Sequence, residues 1–306
     1  MKILKFIVVV LTIFACSVFV YGYLNEKEVL KTLVSYYERN PSTLYMNEYT
    51  KDVKIDFVQL TTDFEADSKQ ELLNIYYTII SSGMNEFTFY CSKYYENCIL
   101  DVVNINDDTN ILSQMNNFVN VFNSFKSIKT TYTTNGKVTL YVDRIYDSDS
   151  ISIINSKMDE IEKVIYLNSV TEYDKIKAIH DYIINNTKYN LEDENKSGTD
   201  SSTAIGVFFK NLATCNGYTD AAALLLDRLN IPNVRISNEN HIWNLVYTNN
   251  MWLHMDLTWD DPVNKMNKDI LSHDYFLKTT VEYDDIGKTK PDNQHNFDRK
   301  IFNFAS

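Results

Sequence analysis

Residues 214–258 constrain the chain more than any other stretch. Thr219-Asp220-Ala221-Ala222-Ala223-Leu224-Leu225-Leu226-Asp227-Arg228-Leu229 reads as a strong helix that stops at Asn230-Ile231-Pro232. Two runs of alternating polarity follow, residues 241–247 and 251–257, joined through Asn249-Asn250. Alternation of this length reads as two strands, and the Asn-Asn junction as a hairpin turn. One face of that hairpin carries Ile242, Val246, Leu253, Met255 and Leu257, an apolar set that needs cover from the helix or the core. The local order of helix and antiparallel hairpin points to an α+β fold.

The other face carries the chemistry. A two-residue turn sets Thr248 opposite Met251 and Trp243 opposite Asp256, so His241, Trp243, Leu245 and Tyr247 share a face with Trp252, His254, Asp256 and Thr258. Asp256 is then a diagonal neighbour of His241. An odd loop would put the two on opposite faces. Cys215 stands at or just before the helix N-terminus, where unpaired N–H groups and the positive end of the helix dipole favour a thiolate and can receive an oxyanion. A carboxylate that holds the imidazole by one ring nitrogen leaves the other for the thiol, which makes Cys215 the expected nucleophile, His241 the base and acid, and Asp256 the orienting group.

Other features are expected to be structural. His180 follows Ile176 and Ile179 and precedes Ile183 at helical spacing, which suits a packing histidine. The polar stretch 190–203 reads as a solvated loop, with a lid over the neighbouring Cys215 as the alternative. Cys215, His241, His254 and Asp256 contain the residue types of a zinc site but no C-x-x-C or H-E-x-x-H unit, so no metal is expected. No organic cofactor is expected either. The net charge of -12, from 29 Lys+Arg and 41 Asp+Glu, argues against nucleic acid as a partner.

Cys215-Asn216-Gly217-Tyr218, His241-Ile242-Trp243-Asn244 and Asp256-Leu257-Thr258-Trp259-Asp260-Asp261-Pro262 together resemble the bacterial transglutaminase-like domains of the papain-like cysteine enzymes. The resemblance is firm from about Ile176 to Phe276, weaker to His295-Asn296-Phe297-Asp298, and is to the secreted firmicute type. It implies a central helix bearing Cys215, packed on an antiparallel sheet, with Cys215, His241 and Asp256 in the roles above. It departs at Asn216, where that subgroup more often has Gln or Glu. Asn216, Gly217, Tyr218, Trp243 and Trp259 are candidates to line a substrate pocket, with packing around the hairpin as the alternative for the tryptophans. The implied activity is acyl transfer from a glutamine or peptide donor, through a thioester, to an amine or to water. A catalytically idle cell-surface binding or structural module is the alternative.

The rest of the chain divides into an N-terminal segment, residues 1–22, an α+β region of unknown role, residues 23–168, and the transglutaminase-like domain, residues 169–306. Lys2 and Lys5 precede an apolar run that ends at Val20-Tyr21-Gly22, as in a secretory signal. Cleavage after Gly22 would leave a net charge of -14. An uncleaved membrane anchor and lipidation at Cys16 are alternatives. Export, with a protein or peptide substrate at the cell surface and membrane contact only through this segment, is the expectation. Within 23–168, helices are expected around residues 29–37, 72–80 and 158–165, a strand at Phe87–Cys91, and a hairpin across Asn135-Gly136. Cys91 and Cys98 either form a local disulfide or stay as buried thiols.

Overall fold

The computed structural model describes residues 2–37, 39–167, 169–194, 196, 198–262, 270–289 and 295–306. It opens with helix α1 (Lys2–Tyr37), which runs through the expected export segment; the side chains at 31–37 lie outside the described residues. Among the described residues, no helix is long and apolar enough to cross a membrane. A four-stranded sheet follows, in the order β1-β2-β4-β3, built from β1 (Glu65–Ala66), β2 (Glu86–Cys91), β3 (Phe125–Tyr132) and β4 (Lys137–Arg144). β1 runs parallel to β2, and the other pairings are antiparallel. Helices α2 (Lys69–Ser82), α3 (Cys98–Asp107), α4 (Thr109–Asn117) and α5 (Ser148–Leu167) complete this half.

Local chemistry sets the ends of α2. Ser68 Oγ accepts the Glu71 N–H, and Glu71 accepts the Asp67 N–H in return. The helix stops at Gly83, whose φ of +81° lies in the left-handed region. Helices α3 and α4 have no counterpart in the sequence reading. They are only 10 and 9 residues long and rich in Asn and Asp, so packing rather than propensity holds them. Cys91 and Cys98 form the disulfide, tying the end of β2 to the start of α3 with Cα atoms 5.8 Å apart.

The second half contains α6 (Glu172–Asn186), started by a Thr171–Asp174 capping box, then a short parallel pair, β5 (Lys188–Tyr189) and β6 (Leu212–Ala213). Next come α7 (Cys215–Arg228) and a three-stranded antiparallel sheet, β7 (Asn233–Ser237), β8 (Ile242–Thr248) and β9 (Met251–Met255), in that order. α8 (Leu257–Asp260) and α9 (Thr280–Thr289) follow. Thr248 pairs with Met251, and Asn249 and Asn250 take φ of 51° and 61°, as a two-residue turn of this hand requires.

The β7-β8-β9 sheet is a wall between two cores. Val234, Ile236, Trp243 and Leu245 join the core of the first half, while Val246 and Met255 pack with α5, α6 and α7. All five residues of β7 are buried, the polar Asn233, Arg235 and Ser237 as well as Val234 and Ile236. Residue 168, the expected boundary, lies outside the described residues, and the halves on either side of it share these cores.

Candidate active site

Cys215 is the first residue of α7 and is half-buried. The opening turn of a helix leaves its backbone N–H groups without intrahelical partners, here those of Cys215, Asn216 and Gly217. The turn is held from outside: the Thr214 N–H donates to Ser201 O at 2.8 Å, and the Asn190 side chain donates to Ser201 Oγ at 2.8 Å. The far end of the 190–203 stretch is therefore packed against the start of α7, whereas residues 191, 192 and 194 are exposed; residues 195 and 197 lie outside the described residues.

Gly217 makes this contact possible. A Cβ at that position would fall 2.5 Å from Ser201 O and 2.9 Å from Thr203 O, both backbone atoms with little room to yield. Gly217→Ala is expected to destabilise the protein by about 1–3 kcal/mol, as overpacking does. Urea unfolding measures that cost, and an unchanged midpoint would show that the 201–203 segment moves freely.

His241 immediately precedes β8 and Asp256 immediately follows β9, so the hairpin register brings them together. His241 Nε2 lies 2.6 Å from Asp256 Oδ2, with the side chains 3 % and 1 % exposed. The imidazole also interacts electrostatically with the Cys215 side chain. With Nε2 on the carboxylate, Nδ1 is the nitrogen left for the thiol. Burial alone would push His241 down, but the Asp256 charge and hydrogen bond, followed by the interaction with Cys215, outweigh it and push His241 up to about 10. Asp256 Oδ1 accepts the N–H groups of Thr258 at 2.9 Å and Trp259 at 3.2 Å, which makes Asp256 the N-cap of α8. Burial opposes the charge on Asp256, yet His241 and the other donors hold the carboxyl well below the usual carboxylate range.

The pocket candidates separate by exposure. Asn216 is exposed beside Cys215, and Trp259 is half-buried against Tyr275 and His295. Trp243 is 1 % exposed, stacks on His241 at 5.6 Å between centroids, and donates Nε1–H to His254 Nδ1 at 2.9 Å. It backs the imidazole and presents no surface to a substrate. Gly217 and Tyr218 are also buried, and the Tyr218 hydroxyl donates to Asp261 Oδ2. His254 is not a partner of Cys215 or Asp256 but sits behind Trp243, where burial, then the charges of His295 and Arg299, push it down to about 3. His180 is buried as a packing histidine, with Nε2 3.1 Å from Asp260 Oδ2 and Nδ1 3.0 Å from Asp181 Oδ1.

Two residues near the site have no role in the sequence reading, although His295 lies in the stretch to which the family resemblance weakly extends. Burial, followed by the charges of Cys215, Glu194 and Asp256, pushes the Tyr189 hydroxyl well above its ordinary value, so Tyr189 is a neutral donor within electrostatic reach of the thiol. His295 places Nε2 2.7 Å from Asp256 Oδ2. Neither has a periodic signal, since Tyr189 is in a two-residue strand and His295 stands 39 residues beyond its partner.

Residues 160–257 match the transglutaminase-like superfamily. That transglutaminase-like segment contains Cys215, His241 and Asp256, and excludes His295. No curated protein matches the chain significantly. Among solved structures, a TGase aligns at 18 % identity with a TM-score of 0.35, covering 47 % of this chain and 47 % of its own. A protein assigned as a cysteine protease from Cytophaga hutchinsonii aligns at 16 % identity with a TM-score of 0.28, covering 47 % of this chain and 64 % of its own.

Proposed function

We propose that the chain is a transglutaminase-like cysteine enzyme that forms a thioester on Cys215 and passes the acyl group to an amine or to water. The observation that supports this best is the buried imidazole of His241, held by Asp256 at 2.6 Å and within electrostatic reach of Cys215. In this reading the Cys215 thiolate attacks the carbonyl carbon of a glutamine side chain or a peptide, and the N–H groups at the start of α7 receive the oxyanion. The donor's C–N bond breaks, and His241 gives its proton to the departing nitrogen. An amine or water then attacks the thioester and returns a proton to His241, and Cys215 leaves as the thiolate. No metal or organic cofactor takes part in the scheme.

Export belongs to the same proposal. The basic and apolar N-terminal segment, the acid excess and the Cys91–Cys98 disulfide all suit an oxidising, extracellular setting with a protein or peptide substrate at the cell surface. The test is incorporation of a dansylated primary amine into cell-surface extract, comparing the wild type with Cys215→Ala. Label carried by the wild type and absent from the variant is the expected result, with the mature chain beginning at Tyr23 by mass spectrometry. Equal labelling by both would overturn the reading. Ammonia or amine release without label, if it depends on Cys215, assigns hydrolysis instead.

A further inference from the structure

His295 makes a contact that neither the hairpin nor the matched segment supplies. Its Nε2 lies 2.7 Å from Asp256 Oδ2, the same oxygen that His241 Nε2 meets at 2.6 Å. An ionised carboxylate only accepts hydrogen bonds, so both imidazoles must present an N–H to that oxygen. With Thr258 and Trp259 on Oδ1, four donors saturate Asp256 and fix its rotation. The His295 side chain is 7 % exposed. Its ring stacks on Tyr275 at 5.1 Å and meets the edges or tilted faces of Trp243, Trp259 and Tyr283 at 5.0, 5.3 and 4.9 Å.

The segment that carries His295 is anchored on the far side as well. Asn296 O accepts the Asn238 side chain at 2.6 Å, three residues before His241, and Phe297 packs on Trp243 and His254. Phe302 is buried in the first core, and Ser306 exchanges hydrogen bonds with Trp252 on β9.

We infer that His295 is a positioning residue that holds Asp256 through a second imidazole donor, so that the C-terminal segment completes the Cys215–His241–Asp256 site. The inference takes the Cys215 chemistry proposed above as its frame. His295 competes with His241 for the same oxygen. Loss of its donor therefore leaves the carboxylate mobile, which lowers reactivity, and relieves that competition, which strengthens the hold of Asp256 on the His241 proton. Of the ionisable groups, Asp256, His241, Tyr275 and Tyr283 meet His295 directly, and His254 lies within electrostatic reach.

The experiment measures, against pH, the second-order rate of Cys215 alkylation by iodoacetamide together with kcat and KM for amine incorporation, in the wild type, His295→Gln and His295→Phe. Gln returns an N–H near the position of Nε2, whereas Phe fills the space without a donor. The expected result is a 10- to 100-fold loss of kcat in His295→Phe, the usual scale for a partner that orients an active group, with KM little changed. The pH profile of kcat in that variant keeps its alkaline limb at or above the wild-type position, and His295→Gln recovers most of the rate. Equal rates and profiles in all three proteins would overturn the inference, and so would equal losses in Gln and Phe, which would assign the ring to packing. A wild-type Cys215 that alkylates no faster than a denatured thiol would overturn the proposed function instead. Thermal unfolding confirms that each variant is folded.

Discussion

Replacing Asp256 with Asn lowers acyl transfer by about 10²- to 10⁴-fold, the scale of a lost general acid and base. Asn is nearly the same shape, so the expected loss follows from donor and acceptor counting. Asp256 accepts from His241, His295 and the N–H groups of Thr258 and Trp259. An amide has one acceptor oxygen, so its NH₂ group would face either the two imidazoles or the two N–H groups that cap α8. The capped turn or the His241 orientation is lost in either case.

The pH dependence carries a sign. His241 is raised above its unfolded value near 6.5 to about 10, chiefly by Asp256 acting against burial. Its proton is therefore retained through neutral pH, and the rate falls only as pH rises through the folded value. The stability that the pair contributes is full below about pH 6.5 and is lost over the same rise. Asp256→Asn removes the charge and moves the alkaline limb of activity, where the His241 proton is needed for the leaving nitrogen, back toward neutral. Profiles that superimpose on the wild type would mean that Asp256 does not govern the imidazole.

Arg235→Met destabilises the fold by about 3–5 kcal/mol, the cost of leaving a buried charge without its partner. Arg235 and Asp220 form an ion pair at 2.9 Å with side chains 5 % and 6 % exposed. The same guanidinium donates to Ser124 Oγ at 2.8 Å, to Val119 O at 3.2 Å and to Asn116 O. The other oxygen of Asp220 accepts the Tyr146 hydroxyl at 2.7 Å, and that hydroxyl accepts the Ala204 N–H at 2.9 Å. One network thus fastens α7 to the first half of the chain, five residues from Cys215. Burial raises the Asp220 carboxyl while Arg235 opposes it. Without Arg235 the buried charge is most costly at neutral pH, so the deficit relative to wild type should narrow as pH falls toward 4, where Asp220 takes up a proton. Urea midpoints at pH 7 and pH 4.5 test both statements. A deficit under about 1 kcal/mol at pH 7 would show that water replaces the pair.

Much of the site could be read from the sequence because its signals are local. The two-residue turn follows from Asn249-Asn250, the period of two then places His241 and Asp256 on one face, and the Ala/Leu run places Cys215 at a helix start. Strand β7 has no counterpart in that reading although Asn233-Val234-Arg235-Ile236-Ser237 alternates, because five residues give a weak signal and its polar side chains are buried by partners distant in sequence, and α3 and α4 have none because they are short. The roles of Trp243 and Tyr218 were open for a related reason: an aromatic beside a reactive residue can line a pocket or back it, and only burial distinguishes the two.

The sequence by itself therefore determined that His241 and Asp256 share one face of the hairpin and that Cys215 starts a helix, because turn chemistry, strand period and helix propensity act over a few residues. The tertiary structure alone decided that Asp256 has a second imidazole partner 39 residues away and that Arg235 neutralises Asp220. Such contacts depend on how distant segments pack, and no local pattern encodes them.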